Sequence, residues 1–464
     1  MNVFGIDYGR TSSVIVLREG GTAIRSVGDG LRTVIPHSAV ASPGSAAPYW
    51  GSHAALANVP GLATCAPTPR AVPVTPSQRQ NDGFLTQTPL SSETRALTFA
   101  HLLPGPWTTE PEASLFWSGL QDRLFRYLGR MAATEANGYR VVVAISPGNQ
   151  PDAPAVISRL AHGVGLQDIE IIRATDALVC RFIASPEGVR ASGQTTPLSV
   201  VAIALGDVAT DISGYHLVLQ SITNDLLGLR AERIESGFAS LPFGSSHWLL
   251  RLVDDVHQHL REPLPPGQEL LLQDAAREFG AALGRATTDD TLVSWNGPFR
   301  DRMYSPLRLH VQDCLRDWPE ANGLVRDLPE RIREAARKAG SGDDVPDILL
   351  LGGAGARWPF VLEAVRQIAE QDTAKKLLIW QSATSDEDVA RGASWWPEIG
   401  SGTLPALRGD APQPALGAEA VAETPKAARR KTAPPVRVPE PSTVFEVQDI
   451  PDSSVPPSLR QLDF

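Results

Sequence analysis

Short apolar runs alternate with amphipathic segments along most of this sequence. The β-branched run at 139–145 is typical of a strand buried on both faces, whereas apolar residues at 115–131 recur at helical spacing. Further strands are predicted at 34–41, 169–172, 348–351 and 377–380, and further helices at 153–164, 175–183, 249–260, 268–283, 306–339, 359–370 and from 386 onwards. Strands that alternate with helices across both halves of a chain indicate an α/β architecture.

One strand–turn–strand pattern occurs twice. The first copy spans residues 3–16 and the second spans residues 200–213. In each copy a short apolar strand leads into a tight turn of small and hydroxyl residues and then into a second strand. Such a turn directs backbone N–H groups and hydroxyls into one concavity, which suits phosphate oxygens. Two such turns predict a nucleotide cleft between two similar halves of the protein.

The periodic pattern stops near Ser401. Residues 401–464 are rich in Ala, Pro, Glu and basic residues, and this composition predicts a disordered tail. Near its end, 444–450 alternates apolar and polar residues, the period of a strand that adds to an exposed sheet edge, and 458–464 has the pattern of a short docking helix. We expect 444–464 to be a docking motif for a protein partner on a flexible linker, with a tail of no role as the alternative.

Bulk composition narrows the function classes. The chain has 464 residues, of which 42% are hydrophobic, enough for about three domains with a large core. A net charge of −10 does not favour a nucleic-acid groove, which needs a basic face. The sequence has no signal-peptide pattern and no apolar run of membrane-span length, so we expect a soluble cytoplasmic protein. The three cysteines form no metal-ligand pattern and are expected to be buried thiols.

Several motifs occur together in a characteristic order. They lie at 5–13, 35–38, 144–166, 205–213, 351–359 and 386–393. In this order and at this spacing they resemble the nucleotide-binding domain of the heat-shock protein 70 (DnaK-type) family, within the actin-like ATPase superfamily. The resemblance implies a two-lobed actin-like ATPase (ribonuclease-H-like) fold, with lobe I at 1–198, lobe II at 199–400 and the disordered tail at 401–464.

The resemblance also assigns candidate site residues. Asp7 and Asp211 match catalytic positions, and Asp7 is expected to hold Mg²⁺ through water. The expected ligand is ATP or ADP with Mg²⁺. The residues expected to contact it are Gly9, Arg10, Thr11, Ser12, Ser13, Gly206, Asp207, Gly352, Gly353, Arg357 and Asp386.

The two phosphate turns are not equivalent, and the second departs from the family. Ala204 stands where the family has an acidic residue, at the position that Asp7 holds in the first copy, and Ala174 replaces a second carboxylate that positions water. The second turn continues as Gly206-Asp207-Val208 in place of consecutive glycines, and Val208 resists positive φ. An aspartate at 207 is unfavourable beside phosphate unless Mg²⁺ intervenes.

The cations of the family are missing too. Its catalytic Lys has no clear counterpart, with Arg70 as the one candidate, and its adenine-clamping Lys-Arg pair corresponds to Gly280-Ala281. Single electrostatic contributors are worth ~10²–10³ in rate, so we expect hydrolysis slower by several orders of magnitude. We also expect no counterpart of the family's peptide-binding domain in this sequence, since it passes from Pro397 directly into the predicted tail.

Three interpretations follow from the sequence. The first is a heat-shock-70-like protein with degenerate phosphate and catalytic motifs, which binds ATP or ADP weakly and acts as a scaffold or regulatory chaperone-like partner. The second is a slow but active ATPase chaperone or reactivase, in which Asp207 and Asp211 position the metal. The third is an interaction protein that uses no nucleotide. Nucleotide affinity measured with and without Mg²⁺ separates them.

Overall fold

The structure is a computed structural model, and it describes much of the chain up to residue 406. The described residues are 2–9, 12–28, 33–36, 39–41, 49–50, 63–65, 70–73, 86–89, 94–98, 122, 124–133, 138–146, 153–166, 168–191, 197–206, 209–223, 226–241, 243–262, 268–284, 290–339, 345–371, 377–401, 404 and 406. All of them belong to one folded unit, Met1–Ala411. The predicted docking segment 444–464 and nearly all of the predicted tail lie outside them.

The first sheet is built mainly from the start of the chain. Its strands are β1 Asn2–Tyr8, β2 Ser12–Glu19, β3 Ile24–Val27, β4 Val34–Pro36, β11 Tyr139–Ile145 and β12 Ile169–Arg173. They lie in the order β12-β11-β1-β2-β3, and β4 also pairs with β2. Since β1 is parallel to β11 and antiparallel to β2, the sheet is mixed.

Short strands occupy the stretch between β4 and β11. One small sheet contains β5 Ala39–Ala41, β6 Tyr49–Trp50 and β7 Ala63–Cys65, and another contains β8 Arg70–Pro73, β9 Thr86–Pro89 and β10 Thr94–Thr98.

The second sheet repeats the topology of the first. Its strands are β13 Leu198–Leu205, β14 Thr210–Thr223, β15 Leu226–Leu241, β18 Ile348–Gly352 and β19 Leu378–Trp380. They lie in the order β15-β14-β13-β18-β19, with β13 antiparallel to β14 and parallel to β18. The hairpin β13–β14 thus stands where β1–β2 stands in the first sheet, and β18 and β19 correspond to β11 and β12. The repeated strand–turn–strand pattern of the sequence is therefore the central hairpin of each sheet.

Helices cover both faces of each sheet. They are α1 at 124–133, α2 Ala153–Gly163, α3 Ala174–Ile183, α4 Pro186–Ala191, α5 Ser245–His259, α6 Gln268–Gly284, α7 Val311–Asp317, α8 Pro319–Lys338, α9 Pro359–Gln371 and α10 Asp388–Ile399. A small pair of strands, β16 Val293–Ser294 and β17 Arg308–Leu309, lies between α6 and α7. In the described part of the chain, none of the helices is both long and apolar enough to cross a membrane.

The core is divided into layers by the alternation of side chains along the strands. Phe4 and Val141 face one side of the first sheet, toward α1 and α2, whereas Val3 and Val142 face the other side. The second sheet does the same, with Ile203 packed among α5, α6, α8 and α9. The inner faces of both sheets, together with α3 and α10, share one hydrophobic core. These two helices therefore hold the sheets together.

Some predicted elements differ from the observed ones. The helix predicted over 306–339 is two helices, which meet at Trp318 and Pro319. Trp318 is extended at φ −110 and ψ 100, as the residue before a proline tends to be, and Pro319 suits the first turn of the next helix. The final helix begins at Asp388 rather than at 386. The long strand β15 was not predicted from the sequence.

Candidate phosphate-binding site

The carboxyl ends of the central strands of both sheets meet. Ser146 follows β11, and Gly206 follows β13; a Cβ atom on Gly206 would lie 3.5 Å from the Ser146 Oγ. Asp7 on β1 pairs with Ala144 on the neighbouring strand β11, and Ser146 follows Ala144 by two residues. In open α/β sheets, ligands bind outside the carboxyl ends of the strands. This junction is therefore where a ligand site is expected.

A buried carboxylate lies at this junction without well-formed hydrogen bonds. Asp211 pairs with Ala204 on β13 and with Ser240 on β15, and it is 1% exposed. Neither of its side-chain oxygens accepts a hydrogen bond of normal geometry from the described residues. Burial raises the pKa of Asp211 to about 6, although the hydroxyls of Ser240 and Ser146 and the charge of Arg173 act in the opposite direction. An unsatisfied buried carboxylate is costly, and a metal ion or a ligand donor removes that cost.

A largely buried guanidinium group lies near this carboxylate. Arg173 ends β12, and its charge lowers the pKa of Asp211. Its Nη2 donates to Glu235 at 3.3 Å, and the guanidinium lies over the ring of Phe238 at 4.7 Å. The Nε and Nη1 atoms are buried and have no hydrogen-bond partner among the residues that the structure describes. Their N–H groups thus remain available for an anionic oxygen.

The loop that follows β18 reaches the same junction. Gly353 has a φ of 95°, and a Cβ atom there would lie 2.3 Å from the carbonyl oxygen of Leu205, the last residue of β13. Gly352 lies against Leu178 of α3, where a Cβ atom would lie 2.5 Å from a side-chain methyl group. The positive φ and the close backbone therefore require glycine at 353, whereas a side chain at 352 would have to displace Leu178; the loop lies beside the Gly206 turn.

Arg357 and Asp386 are brought together at the outer end of that loop. The Nε of Arg357 donates to the Ser385 hydroxyl at 2.8 Å, Nη2 donates to the Ala383 carbonyl, and Nη1 lies 4.0 Å from Asp386. The backbone N–H of Gly353 donates to the Ser385 carbonyl at 2.9 Å. The guanidinium group expected to contact adenosine is thus held by the 383–386 segment.

Helix α6 lies directly against this loop. A Cβ atom on Gly280 would lie 2.5 Å from the Trp358 indole, and one on Gly284 would lie 1.5 Å from the Arg357 carbonyl oxygen. The sequence placed the missing adenine-clamping pair at Gly280-Ala281. In the structure the space in front of Gly280 is filled by Trp358.

The structure describes only part of the two predicted phosphate turns. Gly9 follows β1, whereas Ser12 and Ser13 are the first residues of β2 and pair with Pro36 and Ile35. Their backbones thus belong to the sheet rather than to the turn. Arg10, Thr11 and Asp207, which complete the two predicted turns, lie outside the described residues.

Both alanines that replace carboxylates are buried. Ala174 begins α3 and is 4% exposed, and Ala204 on β13 is 2% exposed. They belong to the hydrophobic core shared by the two sheets. Neither position therefore supplies a carboxylate to orient a metal-bound water.

Sequence reasoning gave no site role to Ser146, Arg173, Ser240 or Trp358. Ser146 and Arg173 carry a recognisable signal, because each lies at the carboxyl end of a predicted strand. Ser240 has no such signal, since its strand was not predicted. Trp358 follows Arg357 in the chain, but only the tertiary structure shows that its indole fills the space in front of Gly280.

The sequence was compared with known proteins. No family model matches it, and no curated protein matches it significantly. The resemblance to the heat-shock-70 family therefore stays a prediction from the sequence motifs.

An Mg²⁺-bound nucleotide fits one end of this site and not the other. At the phosphate end, the unsatisfied oxygens of Asp211 suit a metal ion or its water ligands, and the N–H groups at Nε and Nη1 of Arg173 suit phosphate oxygens. At the base end, Gly280 and Gly284 contact the loop without a gap.

Proposed function

We propose that this chain has the two-lobed actin-like fold and is a heat-shock-70-like protein that binds Mg²⁺ nucleotide weakly and hydrolyses it poorly. Its role is that of a scaffold or regulatory partner, and in this proposal it works in the cytoplasm with a protein partner bound through 444–464. The observation that carries the proposal is the unsatisfied buried carboxylate of Asp211 at the meeting point of two sheets of equal topology.

The matching sheets support the fold. Each has a central hairpin followed by two parallel strands, and α3 and α10 pack between the sheets. Two halves related in this way place their phosphate turns toward one another. The close approach of Ser146 to the Gly206 turn is in keeping with that arrangement.

The buried alanines support poor hydrolysis. Phosphoryl transfer depends on positioning and on charge stabilisation of the metal, the water and the phosphoryl group. Asp7 and Asp211 retain part of the metal site, whereas Ala174 and Ala204 supply no carboxylate. Bound nucleotide then acts as a conformational ligand rather than as a substrate that turns over quickly.

The test is calorimetric titration of the full-length chain with Mg²⁺–ATP and Mg²⁺–ADP, paired with a phosphate-release assay. We expect dissociation constants of about 0.1–1 mM, equivalent to about −5.5 to −4 kcal/mol. EDTA should weaken binding, and phosphate release should stay near background. Asp211→Ala should weaken binding at least about tenfold, at ~1.4 kcal/mol per factor of ten.

Asp301→Ala is the matched control, because Asp301 is an exposed aspartate in the 3-10 turn Arg300–Arg302. It should leave binding unchanged. Rapid Mg²⁺-dependent ATP hydrolysis that Asp7→Ala abolishes would instead establish the active ATPase. Absence of any nucleotide binding would establish the interaction protein.

A further inference from the structure

We propose that this site recognises its ligand through the phosphates and the metal ion alone and does not select a base. Its ligand class is then a Mg²⁺-bound polyphosphate, with or without a nucleoside. This inference rests on the proposed phosphate site and goes beyond it, because the proposed function names ATP and ADP.

The first support is the contact between α6 and the loop after β18. A base held between these two elements needs a gap of one ring thickness. Instead, Gly280 and Gly284, one helical turn apart, face Trp358 and the Arg357 carbonyl so closely that a Cβ atom on either would clash, at 2.5 Å and 1.5 Å. The two elements are in van der Waals contact, so a flat ring has no place between them.

The second support is the way Trp358 is held. Its indole is 4% exposed and stacks on Phe360 with ring centroids 5.7 Å apart and an interplanar angle of 26°. Trp248 and Trp318 pack on it at 6.1 Å and 6.2 Å. Because protein cores are close-packed, this ring does not swing aside without disrupting its neighbours. Trp358 is therefore a permanent part of the core and not a mobile cover.

The phosphate end keeps its ligand-directed groups. Within the described part of the chain, neither oxygen of Asp211 accepts a hydrogen bond of normal geometry, although the Ser240 and Ser146 hydroxyls lie near them, and the Nε and Nη1 atoms of Arg173 have no hydrogen-bond partner. A carboxylate for a metal ion and a guanidinium for phosphate recognise the part of the ligand that ATP, GTP and tripolyphosphate have in common. Binding at this end alone gives the same affinity for all three.

The experiment compares Mg²⁺–ATP, Mg²⁺–GTP and Mg²⁺–tripolyphosphate by calorimetric titration of the full-length chain. The three dissociation constants should agree within ~3-fold, a difference of less than ~0.7 kcal/mol. An ATP affinity at least tenfold above both others overturns this inference and leaves the proposed function standing. Failure of all three to bind overturns both.

A pair of tryptophan variants tests whether Trp358 is the cause of the proposed lack of base selectivity. Trp358→Ala removes the ring in front of Gly280, so the ratio of ATP to tripolyphosphate affinity should rise at least about fivefold. Trp318→Ala makes a comparable cavity in the same aromatic cluster and should leave that ratio unchanged. A folded Trp358→Ala chain with an unchanged ratio contradicts the assignment of Trp358 to the base position. If that chain does not fold, the comparison of the three ligands on the unmodified protein decides.

Discussion

At the scale of single residues, the candidate site carries a cost in stability. Asp211 is buried beside apolar strands, and its raised pKa shows that the folded protein holds the proton more tightly than the unfolded chain does. The charge present at neutral pH is thus maintained against a desolvation cost. Such costs are typical of functional sites, where a bound ligand offsets them.

Asp211→Asn should therefore stabilise the protein at neutral pH. The pKa of Asp211 rises from 3.8 to about 6 on folding, so the free energy of unfolding of the unmodified protein should fall as pH rises through this range. The cost at pH 8 is at most about 3 kcal/mol, because a tenfold change in proton affinity is worth about 1.36 kcal/mol. Urea unfolding at pH 8 and pH 4 measures the difference between variant and parent. The gain should be largest at pH 8 and vanish near pH 4; equal gains at both values would contradict the account.

Arg173→Gln should weaken the binding of Mg²⁺–ATP and of Mg²⁺–tripolyphosphate alike, by about 1.5–3 kcal/mol, the usual value of a hydrogen bond to a charged group. Arg173→Lys should retain part of the affinity, since it keeps the charge and loses the fork of donors. Calorimetric titration gives the values.

Arg190→Gln serves as the control for Arg173. Arg190 is an exposed arginine of α4 paired with Glu187, and its loss should not affect either ligand. An Arg173→Gln chain with the affinity of the parent would remove Arg173 from the site.

At the scale of elements, α3 ties the two sheets and the long hairpin together. Asp176 on α3 accepts from the Tyr215 hydroxyl at 2.8 Å and from the Arg233 Nη1 at 2.5 Å, across to β14 and β15. Burial raises the pKa of Asp176, and the charge of Arg233 opposes that shift. The same helix packs against α10, and Gly392 of α10 lies where a Cβ atom would be 1.8 Å from the Ala177 carbonyl.

Gly392→Ala should destabilise the protein strongly because it forces α3 and α10 apart. Overpacking of this kind typically costs ~1–3 kcal/mol, and a backbone clash belongs at the upper end of that range. Thermal unfolding followed by circular dichroism measures the effect.

The control is Gly163→Ala, at the end of α2, where a Cβ atom would have no neighbour within 4 Å. It should be neutral or slightly stabilising, since alanine favours helix over glycine by up to ~1 kcal/mol. If Gly392→Ala is as mild as Gly163→Ala, the two helices do not fix the spacing of the sheets.

At the scale of the whole molecule, helix α10 ties the last described part of the chain to the first sheet. Trp396 on that helix is 1% exposed and donates its Nε1–H to Glu170 at 2.6 Å. Arg18 on β2 binds Glu398 through both carboxylate oxygens at 2.5 Å. These contacts join α10 to the first sheet, within the unit Met1–Ala411.

Chains that end at Thr443 or at Ala411 should melt within ~2 °C of the full-length protein. A change of 1 kcal/mol in unfolding free energy shifts the melting temperature by about 2–4 °C in a domain of about 150–250 residues, so the expected change in stability is below about 1 kcal/mol. The chain ending at Thr443 should lose a partner that co-purifies through 444–464. A chain that ends at Trp395 lacks Trp396 and Glu398 and should fail to fold, which makes it the control. A much lower melting temperature for the Thr443 chain would show that its missing segment packs on the folded region.

The sequence by itself determined the α/β class, the duplicated hairpin and most of the strands and helices. Local periodicity carries that information, since a buried strand such as 139–145 and a helix such as 359–370 record their own burial pattern. Through the family resemblance it also indicated Asp7, Asp211 and the glycines of the β18 loop as candidate site residues, which stay a prediction. It did not reveal β15. It also missed the break at Trp318, where Pro319 overrides the helical pattern.

Only the tertiary structure decided the state of the site. The environment of Asp211 depends on Ser240, which lies on β15, and on Ser146, which follows β11. That the space in front of Gly280 is filled depends on its contact with Trp358, a residue far away in the chain. Charge, burial and free space are properties of neighbours in three dimensions, and no spacing along the sequence encodes them.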